Sequence, residues 1–549
     1  MSLNRRDYLK LHSVLAVAAA LRPLAAHAAP EARPAAFVGL WGDQGDGTFV
    51  NPILPADYSD IDAIKVGDDF YAISSTIHVS PGMVVMHSKD LVNWRTVSHA
   101  VPDLAAIGPN LDWQTMNSYG KGVWAGALRH HGGKFWLYFT SPEDGIFVTT
   151  ANAAEGPWSP LHCVWATRGY DDVCPFWDDD GQAYMVMTHF LPDPATGRKY
   201  DIHLMKMAPD GRSLDHASDR IIHQSPGSEA NKLYKFGNTY YHFYSEVKAE
   251  GRVPMMNRAA SLAGPWETRQ LNHVAAALDK EPNQGGLIEV GENNWWFLSH
   301  QGNGDWDGRA LVLLPVSWID GWPIIGAPGA DGIGNMVWRA GKPVQGKPAL
   351  GPITSDRFDA PVLGQQWEWN HQPRADKWSL AARKGYVRLH AFKPLRGDDF
   401  LGVGNTLSQR ALRTAGCEVT VKIDISGMRD GQRAGLCHQS RSHGLLGVVQ
   451  EGAARTLELR LTGKDVVHGP AVRARQVWLR SSWDVTGLSQ FSFSLDGKTF
   501  SAIGPAYQLA WGQYRGDRVG VYSYNPKAEA GFIDVDRFDY AYASQTGKR

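Results

Sequence analysis

Cysteine is scarce in this chain. Cys163, Cys174, Cys417 and Cys437 are the only four in 549 residues, too few for a disulfide framework. They fall two to each part of the chain, which leaves both local bridges 163–174 and 417–437 and buried free thiols open. There is no C-x-x-C, no H-E-x-x-H and no glycine-rich phosphate loop, so nucleotide, zinc and redox chemistry have no residues to work with. Excess charge is missing too. A net charge of −1 gives no electrostatic case for nucleic acid or an anionic membrane. Beyond the first 26 residues no apolar run is long enough to cross a bilayer, and the chain should be nearly free of long helices.

The N-terminus reads as an address. Arg5-Arg6 is followed by Tyr8, Leu9 and Lys10, then by an Ala/Val/Leu stretch, and Ala26-His27-Ala28 is an A-x-A cleavage site. Residues 1–28 are therefore expected to be a twin-arginine signal peptide, which implies a periplasmic or secreted protein.

Aromatic residues are abundant, at 21 Trp, 19 Tyr and 19 Phe, and they punctuate a repeat. The stretch Asn51–Thr76, NPILPADYSDIDAIKVGDDFYAISST, holds a β-rich run, a turn glycine and an aromatic-led second strand. The arrangement returns from Trp124, Asp172, Glu229 and Gln284. The turn glycines Gly67, Gly132, Gly181, Gly237 and Gly291 are spaced 65, 49, 56 and 54 apart. Four-stranded units of about 50 residues are propeller blades, so five are predicted. Loops ending at Trp94, Trp158, Trp266 and Trp322 give a second, imperfect repeat, which fails in the third copy.

The propeller is assigned to 29–340 and a Gly/Pro/Ala-rich linker to 341–354. From 355 to 545, alternating runs such as CEVTVKIDI, RTLELRLTG and FSFSLDGKTF predict an all-β sandwich of jelly-roll or concanavalin-like type.

Asp60, Trp124, Asp172, Glu229 and Gln284 stand 7, 8, 9, 8 and 7 residues ahead of their turn glycines. Rotation about the propeller axis would bring five such positions to one mouth of the channel, and three are acids. Carboxyls facing each other across a cleft are what glycosidic cleavage needs, one ionised and one protonated. A separation of roughly 6.5–9.5 Å leaves room for a water and implies inversion, whereas about 5 Å implies a covalent intermediate. Some of the tryptophans can act as platforms for sugar rings.

The motifs NPILPADYSD, the WAG segment, DDVCPFWDDDG and SEANKLYKFG resemble glycoside hydrolase family 43. The later segments GRALVLLPVSWIDGWPIIG and LGQQWEWNHQPRADKWSL resemble its β-xylosidase and α-L-arabinofuranosidase branch, which carries a C-terminal concanavalin-like sandwich. The resemblance implies an exo-acting, inverting five-bladed enzyme that releases terminal xylose or arabinofuranose from hemicellulose oligosaccharides. It implies Asp60 as general base, Asp172 as pKa modulator and Glu229 as general acid. Arg309 corresponds to the arginine that binds sugar hydroxyls. Trp124, His78, Gln284 and His300 are further expected to line the pocket.

Ser59 and Ile61 flank Asp60 where the family usually has prolines, and Gly126 and Ala230-Asn231 are similar departures. No cofactor is required. Family members often carry channel calcium, but Gly285-Gly286 offers no histidine ligand, so a structural calcium is left open and no metal ligand is assigned. Two other readings remain: a non-catalytic carbohydrate-binding propeller, and a retaining five-bladed glycosidase, whose Asn-Asp-Pro-Asn motif is absent.

Overall fold

A computed structural model describes residues 32–544 apart from 275–281, 283, 348–350 and 398, together with 547 and 548. The leader expected at 1–28 lies outside the described residues.

Five four-stranded antiparallel sheets follow one another along the chain; four are uninterrupted meanders, and the first has the strand Val79–Ser80 inserted between its second and third strands. Their innermost strands are Asp62–Val66, Gly126–His131, Tyr170–Trp177, Glu229–Phe236 and Gly285–Gly291. The repeated hairpins join the first and second strands of each sheet, as the turn pattern requires. Gly67 turns with φ 61° and Gly132 with φ 57°, a region where a side chain is strained. In the fifth blade the left-handed residue is Asn293, φ 57°, and not Gly291.

The blades adhere through apolar clusters between neighbours. Ile73, Val85, Leu128 and Phe139 lie between blades one and two. Phe243, Phe297 and Leu314 lie between four and five. The ring closes where Leu54 bridges Leu311, and where Thr48–Val50 pairs with Arg339–Gly341. Of the segment assigned as linker, Gly341 therefore belongs to a strand.

The C-terminal part is a sandwich of an eight-stranded and a nine-stranded sheet. It is not a separate bead. The propeller strand Val79–Ser80 pairs with Glu368–Asn370 at the edge of the eight-stranded sheet, and one apolar cluster runs from Ile61 and Leu298 through Trp367 to Val419. All four cysteines are free; Cys163 is exposed and the other three are buried, so neither local bridge forms.

A buried ion pair pins the seam. Arg515 of the sandwich, only 2% exposed, places Nε 2.9 Å from Asp57 Oδ2 and donates from Nη1 to the Ser75 carbonyl at 2.8 Å. Replacing one partner strands the other charge in the interior. Arg515→Met is expected to cost about 3–5 kcal/mol of stability, read as a lower denaturant midpoint by tryptophan fluorescence.

Candidate active site

Where the innermost strands begin, a cavity of about 280 Å³ opens at the channel mouth. Asp60, Trp124, Asp172, Glu229 and Gln284 all line it, with Arg309. The rotation inferred from the repeat thus carries all five positions to one pocket. Asp171, Phe190 and Tyr200 also line the propeller side, and Tyr514 reaches in from the sandwich. Trp124 forms a wall: its ring stacks on Phe190 at 5.6 Å and meets Tyr514 edge-on at 5.9 Å, while its Nε1 donates to the Gly120 carbonyl.

Asp60 sits just ahead of its strand with φ 56°, a left-handed conformation that Asp adopts more readily than most residues. The surroundings hold it there. Its N–H donates to His300 Nδ1 at 3.0 Å, Oδ1 takes a 2.7 Å hydrogen bond from Arg309, and Oδ2 accepts from the Ser75 hydroxyl. Ser59 and Ser75 share a further hydrogen bond of 3.0 Å. Where the family usually has prolines, this chain uses a serine clasp and a histidine to fix the backbone. Burial alone would raise the Asp60 carboxyl, but the charge of Arg309, the Ser75 hydroxyl and the charge of Arg515 together hold it below the ordinary value. Asp60 is an ionised carboxylate.

Asp172 has the same left-handed backbone, φ 52°. Gln284 donates to its Oδ1 at 2.6 Å. Burial raises its carboxyl, opposed by the charge of Lys232 and a hydrogen bond from the Ala230 N–H. Glu229, on the next blade, is more open: its side chain is 33% exposed and pairs with Arg252 Nη1 at 3.1 Å.

Two expected pocket residues stand elsewhere. His78 is buried between Tyr119 and His371, with ring centroids at 4.6 and 5.0 Å, in a second cavity at the propeller–sandwich seam. The strand Val79–Ser80 that follows it is drawn into the sandwich sheet, and this turns the histidine toward the seam. His300 is 1% exposed and lies behind Asp60 as an acceptor for its N–H, so it meets Asp60 and not the cavity. Sequence reasoning missed Asp171, Phe190, Tyr200 and Tyr514. The Asp171-Asp172 doublet was a visible signal for the first.

The channel below the pocket does not suit the calcium ion that the family resemblance left open. Arg129 lies on the axis, donating to Asp62 Oδ2 at 2.6 Å and Cys174 Sγ at 2.8 Å, with the Tyr234 ring at 5.9 Å. It thus touches blades one, three and four. Lys232, buried on the fourth innermost strand, has no hydrogen-bond partner for its Nζ. Among the described residues no three His, Cys, Asp or Glu side chains are grouped to hold a metal. The Arg129 guanidinium, standing where anionic or carbonyl ligands would be needed, opposes a divalent ion.

Residues 49–323 match the family described as glycosyl hydrolases family 43. The chain belongs to that family. Residues 355–541 match the β-xylosidase C-terminal concanavalin A-like domain. A β-xylosidase of Formosa agariphila is 34% identical, over 97% of this chain and 98% of its own. A non-reducing end α-L-arabinofuranosidase of Bacteroides ovatus is 27% identical, over 92% and 97%. Among solved structures, a family 43 glycoside hydrolase with an engineered active site, displaying both endo-xylanase and exo-arabinofuranosidase activity, superposes with a TM-score of 0.78 at 26% identity, covering 90% of this chain and 100% of that one. As a family 43 member, this protein is a glycoside hydrolase, and its substrates are oligosaccharides.

Proposed function

We propose that this family 43 enzyme is an exo-acting, inverting glycosidase releasing terminal xylose or arabinofuranose from hemicellulose oligosaccharides. The observation that carries this reading is the convergence of Asp60, Asp172 and Glu229 on one cavity in unlike surroundings. Asp60, ionised between Arg309 and Ser75, takes a proton from water as it attacks the anomeric carbon. Glu229, at the more open side, protonates the departing oxygen. Asp172, held by Gln284, orients Glu229 and tunes its charge. Arg309 grips a sugar hydroxyl while it holds the base, and Trp124 gives the ring a flat wall.

The cavity of about 280 Å³ is just below the ligand-site range of about 300–1,000 Å³, and this supports one buried sugar and an exo mode. The likeness to a β-xylosidase and an α-L-arabinofuranosidase brings the two pentoses forward. The Arg5-Arg6 leader pattern supports export by the twin-arginine route, so the enzyme acts in the periplasm or outside the cell.

The test is a panel of nitrophenyl β-xyloside, α-L-arabinofuranoside and galactoside with EDTA present throughout, product anomers being followed by proton NMR. Turnover of a pentoside with the inverted anomer formed first is expected. First formation of the retained anomer would replace the water scheme with a covalent one. Binding without turnover of any glycoside would favour the non-catalytic reading.

A further inference from the structure

Strand pairing reveals a symmetry that the spacing to the turn glycines hides. Asp171 pairs with Thr188 and is followed by a bulge before Cys174. Glu229 pairs with Ser245 and is followed by a bulge of the same length before Lys232. The left-handed residue comes next in both, Asp172 with φ 52° and Ala230 with φ 67°. Asp171 is therefore the blade-three counterpart of Glu229, one blade round the mouth. It starts from the backbone position that lets Glu229 reach the cavity, and it lines that cavity.

Its hydrogen bonds are one-sided. Oδ1 accepts from the Thr140 hydroxyl at 2.7 Å and from the Asp172 N–H at 2.8 Å, which fills both of its lone pairs. Among the described residues Oδ2 has no hydrogen-bond partner, and it is not sealed in the interior. That leaves it to the cavity. Thr140 also ties the group to the aromatic wall, because its carbonyl accepts the Trp124 N–H at 2.9 Å. A polar atom beside an indole face is the pairing that seats a sugar: the ring packs flat and one hydroxyl is held at its edge.

We propose that Asp171 is a substrate-binding residue of the deep end of this pocket, donating from Oδ2 to one hydroxyl of the terminal sugar and so selecting for that hydroxyl. The chemistry of the group agrees. Burial first, then the adjacent charge of Asp172, pushes the Asp171 carboxyl well above the usual carboxylate range. That shift favours the protonated form, the one in which the carboxyl can donate. With Oδ1 already accepting twice, the proton sits on Oδ2. A neutral carboxyl held as a donor costs less to bury than a third carboxylate beside Asp60 and Asp172, and it adds no charge to compete for the proton of Glu229.

The inference rests on the glycosidase reading, and the test separates the two. Wild type, Asp171→Asn and Asp171→Ala are assayed on the pentoside the panel identifies and on its 2-, 3- and 4-deoxy analogues. Asparagine reproduces a neutral donor of the same shape, so Asp171→Asn is expected to keep kcat/KM within about threefold. Asp171→Ala is expected to lose about 10- to 100-fold on the parent sugar. On one deoxy analogue wild type and alanine variant should converge, because residue and hydroxyl have lost the same contact. Equal losses on every analogue would assign Asp171 a structural role and overturn the proposal. So would an Asn variant as impaired as Ala with losses graded by leaving group, which would make Asp171 a proton donor. If the alanine variant does not fold, Asp171→Ser takes its place in the same comparison. Wild type inactive on every parent glycoside would fail the glycosidase reading itself.

Discussion

Asp60→Asn lowers kcat/KM by about 10²–10⁴-fold, the range for loss of a positioned general base, while the protein stays folded. Asparagine keeps the shape: its oxygen can still accept from Arg309 and its amide can donate to the Ser75 hydroxyl oxygen, so the loss reports charge and not packing. The variant should fail alike on good and poor leaving groups, because its defect lies in activating water and not in expelling the aglycone. Azide supplied to Asp60→Ala can replace the water, but it must then give the inverted glycosyl azide. A retained azide would reveal a covalent intermediate and overturn the assignment.

The acidic limb of the wild-type pH profile carries the same assignment. A base works ionised, so activity is present above its folded pKa and lost as pH falls through it. Asp60 is held below the ordinary aspartate value of about 3.9 by Arg309, Ser75 and Arg515 acting against burial. The acidic limb of kcat/KM should therefore lie below that value. Arg309→Met removes the nearest cation and leaves burial to dominate, which moves the limb toward neutral pH. An unmoved limb in that variant would show that Asp60 does not govern it.

What the sequence disclosed and what it hid follow from the range of the interactions. Turn chemistry and aromatic placement are local, so the five hairpins could be counted, and rotation did the rest for Asp60, Asp172 and Glu229. Register is less local. The turn between Trp177 and Ala183 is longer than that between Phe236 and Thr239. Counting back from Gly181 and Gly237 therefore matched Glu229 with Asp172, when pairing matches it with Asp171. The left-handed backbone at Asp60 and Asp172 is only weakly signalled by residue type, since most aspartates do not adopt it. Tyr514 and Arg515 reach the site from a sandwich loop, and Arg515 meets the Ser75 carbonyl across 440 positions of chain; no repeat or motif reports such a contact. His78 was misplaced for the same reason, since the strand that turns it belongs to a sheet whose partner strand starts at Glu368.

Glu229→Ala separates the two halves of the reaction. Its loss should scale with the leaving group. An unactivated disaccharide falls by about 10²–10⁴-fold, whereas a dinitrophenyl glycoside, whose phenolate departs without a proton, is expected to fall far less. In kinetic terms, log kcat/KM plotted against leaving-group pKa should steepen in the variant and stay shallow in Asp60→Asn. Arg252 sharpens the expectation. Its guanidinium sits 3.1 Å from Glu229 and donates to the Gly227 carbonyl at 2.9 Å, so the carboxylate formed after proton donation finds a cation already in place. That contact favours the spent form of the acid. Arg252→Met removes that cation and should favour the loaded acid. If Glu229→Ala proved indifferent to the leaving group, proton donation would have to come from another carboxyl on the cavity, and Asp171, at the matching register of the neighbouring blade, is the one placed to supply it.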